Sequence, residues 1–188
     1  IKLASLNKDY FYKKMEEVLV FNKEILSTIS LIEYLDFINS GAINAKVKGY
    51  VKPELKESKY SFFKAEELRH PIVEYINDMT EYKPHDIGLG KKKNGIILYG
   101  INGSGKSTLM KSIGINIILA QIGYYVAAKK FTYSPYKSIF TRIRGNDNLF
   151  KKQSSFYVEM TELKAIMKRN NKNTLVLADE VCRGTEEK

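Results

Sequence analysis

Gly100-Ile101-Asn102-Gly103-Ser104-Gly105-Lys106-Ser107-Thr108 is the stretch whose reading decides the fold. It fits G-x-x-x-x-G-K-[ST], a phosphate-binding loop. Each residue type has a physical reason. Glycines let the backbone curl so that successive N–H groups point inward at phosphate oxygens. The helix that opens at the loop adds its positive dipole end. Gly100, Gly103, Ser104, Gly105, Lys106, Ser107 and Thr108 therefore read as nucleotide-contacting residues. Lys106 is expected to reach the β- and γ-phosphates, and the Ser107 hydroxyl to ligate magnesium.

The segments on either side match what such a loop needs. Gly95-Ile96-Ile97-Leu98-Tyr99 reads as a buried parallel strand, and Lys106 to Ala120 as a helix. Further strands are expected over Tyr124 to Phe131, Ser138 to Ile143 and Thr174 to Ala178. Between the last two, Ser155 to Asn170 reads as a helix with Phe156, Met160, Leu163 and Met167 as its apolar stripe. Such alternation predicts an α/β layer with a mostly parallel sheet flanked by helices, and with the loop a P-loop NTPase architecture.

Leu175-Val176-Leu177-Ala178-Asp179-Glu180 is an apolar strand ending in two acids. Alone that pattern is weak, because many strands end in an acidic turn. With a P-loop it becomes the Walker-B arrangement. Asp179 is then expected to hold magnesium through water, and Glu180 to orient or deprotonate the attacking water. The interval from Lys106 to Asp179 has no room for the large helical insert of transporter-type ATPases.

Upstream, Lys8 to Ala45 reads as helix, with Phe11, Met15, Val18, Ile25, Ile29 and Ile32 on one face. It is one helix, or two with a bend near Ser27 to Ser30; a lever arm and bundle packing are equal readings. Gly49 to Ser61 reads as a connecting loop and sets the expected domains, 1–48 and 49–188. Tyr60 to Ala65 reads as a short strand. Lys83 to Asn94 reads as an exposed turn. Within it, Lys91-Lys92-Lys93 is either a solvated turn or a DNA contact.

Composition sets the outer limits. The 188 residues are 44% apolar and 28% charged, the balance of a globular chain. No apolar run is long enough for a membrane span. One cysteine, Cys182, excludes a disulfide framework and fits a reducing intracellular compartment. With only His70 and His85 beside it, a four-ligand structural zinc site is excluded. The net charge of +10 suits an anionic partner such as nucleic acid. The 26 lysines against 5 arginines equally suit a genome rich in A and T.

Five segments in order carry a resemblance: Arg69-His70-Pro71, Gly100 to Thr108, Phe140-Thr141-Arg142-Ile143, Asp147 to Glu162 and Leu175 to Thr185. The fourth contains Asp147-Asn148-Leu149, Ser154-Ser155-Phe156 and Val158-Glu159-Met160-Thr161-Glu162; the last contains Asp179-Glu180 and Arg183-Gly184-Thr185. Together they resemble the MutS family of DNA mismatch-recognition ATPases, over the stretch from about Ile29 to the end. Gly103 and Ser104 in the loop, Asn148-Leu149-Phe150 and Cys182 depart from the bacterial pattern and are similar to the giant-virus and coral-mitochondrial branch.

The resemblance implies a lever end joined to most of an ABC-type ATPase domain. It implies ATP and Mg2+ at a composite site between two subunits, either a homodimer or a pair with a MutS-like partner. It implies mismatched or branched duplex DNA as the other ligand, and no membrane. A viral branch implies a viral factory or the host cytoplasm. Asn102 matches the loop asparagine near the phosphates. Tyr82-Lys83-Pro84-His85-Asp86 resembles the family's F-[VI]-P-N-D stretch, so Tyr82 stacks on adenine or is a packed core aromatic. Ser154 matches the serine that reaches in trans into the partner's nucleotide site; at a helix start it is also a simple cap. His85 stands where the family has Asn, and reads as a loop hydrogen-bonder. His70 reads as structural, and Cys182 as a small reduced side chain near the site.

The family's later switch histidine and C-terminal dimerisation helices have no counterpart in these residues. Weak or absent turnover by this piece alone is therefore expected. Two other classes stay open: a chromosome-maintenance P-loop ATPase, and a DNA-binding module whose ATP site only gates assembly.

Overall fold

The computed structural model describes residues 2–76, 82–143, 155–179 and 181. The chain divides into two compact units, Ile1–Asn44 and Ala45–Lys188.

The first unit is helical. Helix α1 spans Lys2–Leu19 and α2 spans Asn22–Lys48. The break falls at Val20 and Phe21, not at the expected bend near Ser27 to Ser30. Asn22 supplies a residue type that favours helix starts. Within the hydroxyl cluster, Thr28 Oγ1 donates back to the Glu24 carbonyl at 2.9 Å, which satisfies it inside the helix.

The second unit is mixed α/β. Its strands are β1 (Glu54–Leu55), β2 (Phe62–Leu68), β3 (His85–Leu89), β4 (Lys130–Ser134), β5 (Ser138–Arg142) and β6 (Thr174–Ala178). Its helices are α3 (Val73–Ile76), α4 (Lys106–Gln121) and α5 (Ser155–Arg169), besides the last turn of α2. The larger sheet has the order β1-β4-β2-β3, and β5 and β6 form a second, two-stranded sheet.

The mostly parallel sheet is corrected here. β1 runs parallel to β4, but β2 is antiparallel to both β4 and β3. Alternation along the chain records which segments are extended, not which edge each strand meets, and β2 takes β3 and β4 on its two edges in the opposite sense. Parallel pairing holds for β5 and β6, which have the 15-residue α5 between them in sequence.

Three local expectations also change. Lys83 to Asn94 is not all turn, because His85–Leu89 pairs along β2. Its closing Gly90 has φ +98 and lies against the Ser61 carbonyl and the Phe62 backbone, where a side chain has no room. Tyr124 to Phe131 is not one strand. Val126, Ala127 and Ala128 are buried yet lie outside the ladder, with one isolated bridge from Val126 to Val51. Gly95 to Tyr99 forms no strand, and Ile97 and Tyr99 are 90% and 92% exposed. Apolar patterning registers a capacity for burial, whereas a strand also needs a partner edge.

Helix α4 is the centre of the core. Met110, Ile113, Ile117 and Ala120 follow helical spacing and pack with Phe63, Ala65, Phe131 and Tyr133 of the mixed sheet and with Leu175 and Leu177 of β6. Phe63 and Phe131 stack with ring centroids 6.1 Å apart. The β2–β3 register slips between Ala65 and Leu68. At that bulge Glu67 has φ 50, and its N–H donates to Asp86 Oδ1 at 2.8 Å.

His70 has the structural role expected of it. It is 4% exposed, and its Nδ1 accepts from the N–H groups of Ile72 and Val73, both at 3.2 Å. Burial holds its pKa below the usual value, and the Lys111 charge adds to this against a smaller opposing backbone hydrogen bond. A lowered folded-state pKa means that the unfolded chain binds the proton more readily. Stability from this group is therefore complete above about pH 6.5 and is lost as pH falls through the unfolded and then the folded value. Urea unfolding at pH 7.5 and pH 5.5 checks this: His70→Asn, which keeps an acceptor without titrating, should lose less stability on acidification than the parent.

Candidate functional site

The loop from Gly100 to Gly105 is exposed and leads directly into α4. Gly105 is the helix N-cap, left-handed at φ 89, and no side chain caps the helix. Only glycine takes that conformation without strain, and it leaves the first amides of α4 free of side-chain competition. Gly103 also has positive φ, at 80. The Ser104 N–H donates to the Ile101 carbonyl at 3.3 Å, and the Leu109 N–H to the Gly105 carbonyl at 2.9 Å. Lys106 Nζ arches over the loop, donating to the carbonyls of Gly100 at 2.9 Å and Ile101 at 2.8 Å. Asn102 is exposed on the same loop, and Thr108 is half-buried in the first turn of α4.

The second half of the site comes from the other end of the chain. Asp179 directly follows β6, and its N–H donates to the Arg142 carbonyl of β5 at 2.8 Å. That bond holds the acid at the strand tip. Ser107 Oγ donates to Asp179 Oδ2 at 2.6 Å. The two side chains singled out as metal-holding thus meet directly. Arg142 is itself paired with Glu162 of α5 at 2.9 Å. Glu180 and Ser154 lie outside the described residues, as do Asp147 to Gln153 and Cys182 to Thr185.

A cleft of about 700 Å³ opens beside Lys106 and Asp179. Ile96 and Leu98 line one side of it, and Met110, Ile113, Leu175 and Leu177 line the others. Tyr82 does not line that cleft; it is half-buried, and its ring meets His85 edge-on at 6.5 Å. Burial raises the Tyr82 pKa, with the Ser112 side chain opposing and Glu74 adding to the rise. Lys91 Nζ sits 3.9 Å above the Phe62 ring, so this lysine of the triplet packs on the sheet through a cation–π contact.

Sequence reasoning missed Asn116. It is fully buried, in the middle of the apolar run of α4. Its Nδ2 donates to the carbonyls of Arg69 at 3.0 Å and Ser112 at 2.8 Å. Its Oδ1 accepts from the Ala127 N–H at 2.8 Å, which satisfies the buried loop outside the ladder. The signal was the interruption itself, since a polar group on a buried face needs partners. Asn116→Ala strands the Ala127 N–H and the Arg69 carbonyl, at about 1–3 kcal/mol for each unsatisfied group. A loss of about 3 kcal/mol in urea unfolding, with unchanged cooperativity, is expected.

A mixed α/β domain whose glycine-rich loop opens a helix beside an acid-tipped strand is the class defined so far. Residues 96–188 match MutS domain V. The chain is 45% identical, over 99% of its length, to a mutS homolog of Acanthamoeba polyphaga mimivirus. It is 41% identical over 95% of its length to the mitochondrial DNA mismatch repair protein mutS homolog of Sarcophyton glaucum. It is 35% identical over 97% to the DNA mismatch repair protein MutS of Bacillus subtilis. The chain belongs to the MutS family, with its resemblance toward the giant-virus and coral-mitochondrial members. It spans 20%, 18% and 21% of the lengths of those three relatives, about a fifth of each. No described helix is long and apolar enough to cross a membrane.

Proposed function

We propose that this chain is the nucleotide-binding part of a DNA mismatch repair protein, and that it binds and hydrolyses Mg·ATP at the loop Gly100 to Thr108. The observation that carries the reading is the Ser107–Asp179 contact at 2.6 Å. A hydroxyl and a carboxylate at that separation form a hard-oxygen donor pair, which fits Mg2+ completed by phosphate oxygens and water. Ser107 and Asp179 would hold the ion, which would supply neutralisation of the phosphate charge.

The chain's own groups do the rest. Backbone N–H groups at the uncapped start of α4 face the phosphates. The Lys106 ammonium exchanges its two loop carbonyls for phosphate oxygens. Glu180 takes the proton of the attacking water. The water oxygen bonds to the γ-phosphorus, and the bond to the β–γ bridging oxygen breaks, leaving ADP and phosphate. Asn102 lies near the phosphates, Tyr82 provides the adenine face, and Ser154 crosses into the site of a second subunit. In this reading the helices of residues 1–48 are the lever end, and the ATPase domain starts at residue 49. ATP then biases a DNA-bound dimer between loading and clamp states in a reducing intracellular compartment.

The test uses the complete gene product at a stated salt concentration. Its binding to a G·T-mismatched duplex is compared with its binding to the matched duplex and to a four-way junction, with and without ATP. Preference for the mismatch, released or made mobile by ATP, supports the reading. Equal binding to both duplexes with preference for the junction moves the substrate to branched DNA and leaves the ATPase intact.

A further inference from the structure

A continuous line of polar contacts leads away from α4, the helix that opens at the glycine-rich loop. Ser112, fully buried on the second turn, donates its hydroxyl to the Leu109 carbonyl at 2.7 Å. One turn on, Asn116 bonds the Ser112 carbonyl and the Arg69 carbonyl. The Arg69 N–H in turn donates to the Ala127 carbonyl at 2.8 Å, closing a ring around Asn116. The Arg69 side chain then reaches the far end of the line. Its Nη1 and Nη2 donate to the Lys48 carbonyl, both at 3.4 Å, and Nη2 donates to the Gly49 carbonyl at 3.1 Å. Those are the last carbonyls of α2 and the residue after it, groups that a helix end leaves without internal partners. Glu74 holds the guanidinium at 3.2 Å, and the Tyr50 ring lies 5.8 Å from it. The Tyr50 hydroxyl donates to the Pro71 carbonyl at 3.1 Å. Arg69 and Glu74 are only 25% and 9% exposed, so solvent screens the pair weakly.

We infer that Arg69 is a positioning residue that ties the last turn of α2 to the P-loop helix, so that nucleotide bound at α4 orders that turn. The geometry demands an arginine. Two adjacent carbonyls and one carboxylate surround a single planar head, and five donors in a fixed fork serve all three. Ordering at one end of the line lowers the cost of ordering at the other, and the coupling is reciprocal. The inference rests on the nucleotide reading and adds to it a defined mechanical output.

Amide hydrogen exchange of the complete protein, with and without Mg·ADP, tests it. Nucleotide should slow exchange at the amides of Lys48 to Val51 about five- to tenfold. Arg69→Gln should bind Mg·ADP with affinity within about threefold of the parent, yet show no such slowing. Should Arg69→Gln fail to fold, Arg69→Lys is read instead; it keeps the charge without the fork and should also lose the slowing. An equal slowing in the folded variant overturns the inference. So does unchanged exchange in the parent when calorimetry shows Mg·ADP bound, and that outcome leaves the nucleotide reading standing. Absence of Mg·ADP binding by the parent overturns both.

Discussion

Glu180→Gln lowers the single-turnover rate of ATP hydrolysis by about 10²- to 10⁴-fold, while Mg·ATP binding stays within about threefold of the parent. The substitution keeps shape and removes only the ability to take a proton, so the loss falls on the chemical step. The argument rests on the residue before it. The Asp179 amide is held by the Arg142 carbonyl and its carboxylate by Ser107, which fixes the residue before Glu180 at the tip of β6. Phosphate release and equilibrium nucleotide binding are measured on the same preparation of the complete protein. Equal hydrolysis in the two forms would remove Glu180 from the chemistry and favour a site that only gates assembly.

The second large effect is on binding. Lys106→Ala weakens Mg·ATP affinity by about 10- to 150-fold, the loss of one or more hydrogen bonds to a charged group. Lys106 Nζ already spans the loop to the carbonyls of Gly100 and Ile101, so it is aimed across the mouth of the glycine turn. Those two bonds are partly exposed, and their loss should move unfolding by less than about 1 kcal/mol. Affinity and stability therefore separate. A fall in affinity without a matching fall in stability identifies a ligand contact. Affinity that survives the substitution would point away from nucleotide as the ligand.

Elements around α4 were legible because each carried its own punctuation. Glycine before Lys106 and the apolar spacing of Met110, Ile113 and Ile117 define the helix that the structure contains. Thr174–Ala178 is a strand with the expected ends, and Ser155–Arg169 a helix ending one residue early. Where a short apolar run stood alone, the pattern misled. Gly95 to Tyr99 and Tyr124 to Ala128 are both apolar, yet neither joins a ladder, because pairing depends on which edges lie free nearby. Lys83 to Asn94 carried turn residues that the larger sheet overrode at His85–Leu89.

By itself, the sequence determined the order of the motifs, the loop–helix junction at Gly105 and Lys106, and the acid at the tip of β6. All are local, set by backbone freedom and by side-chain chemistry within a few residues. Tertiary structure alone decided the direction of β2 against β3 and β4, the meeting of Ser107 with Asp179, and the duties of Asn116 and Arg69. Each joins residues far apart in the chain. Their contact depends on which surfaces bury together and which buried polar groups then need partners, and no local pattern records that.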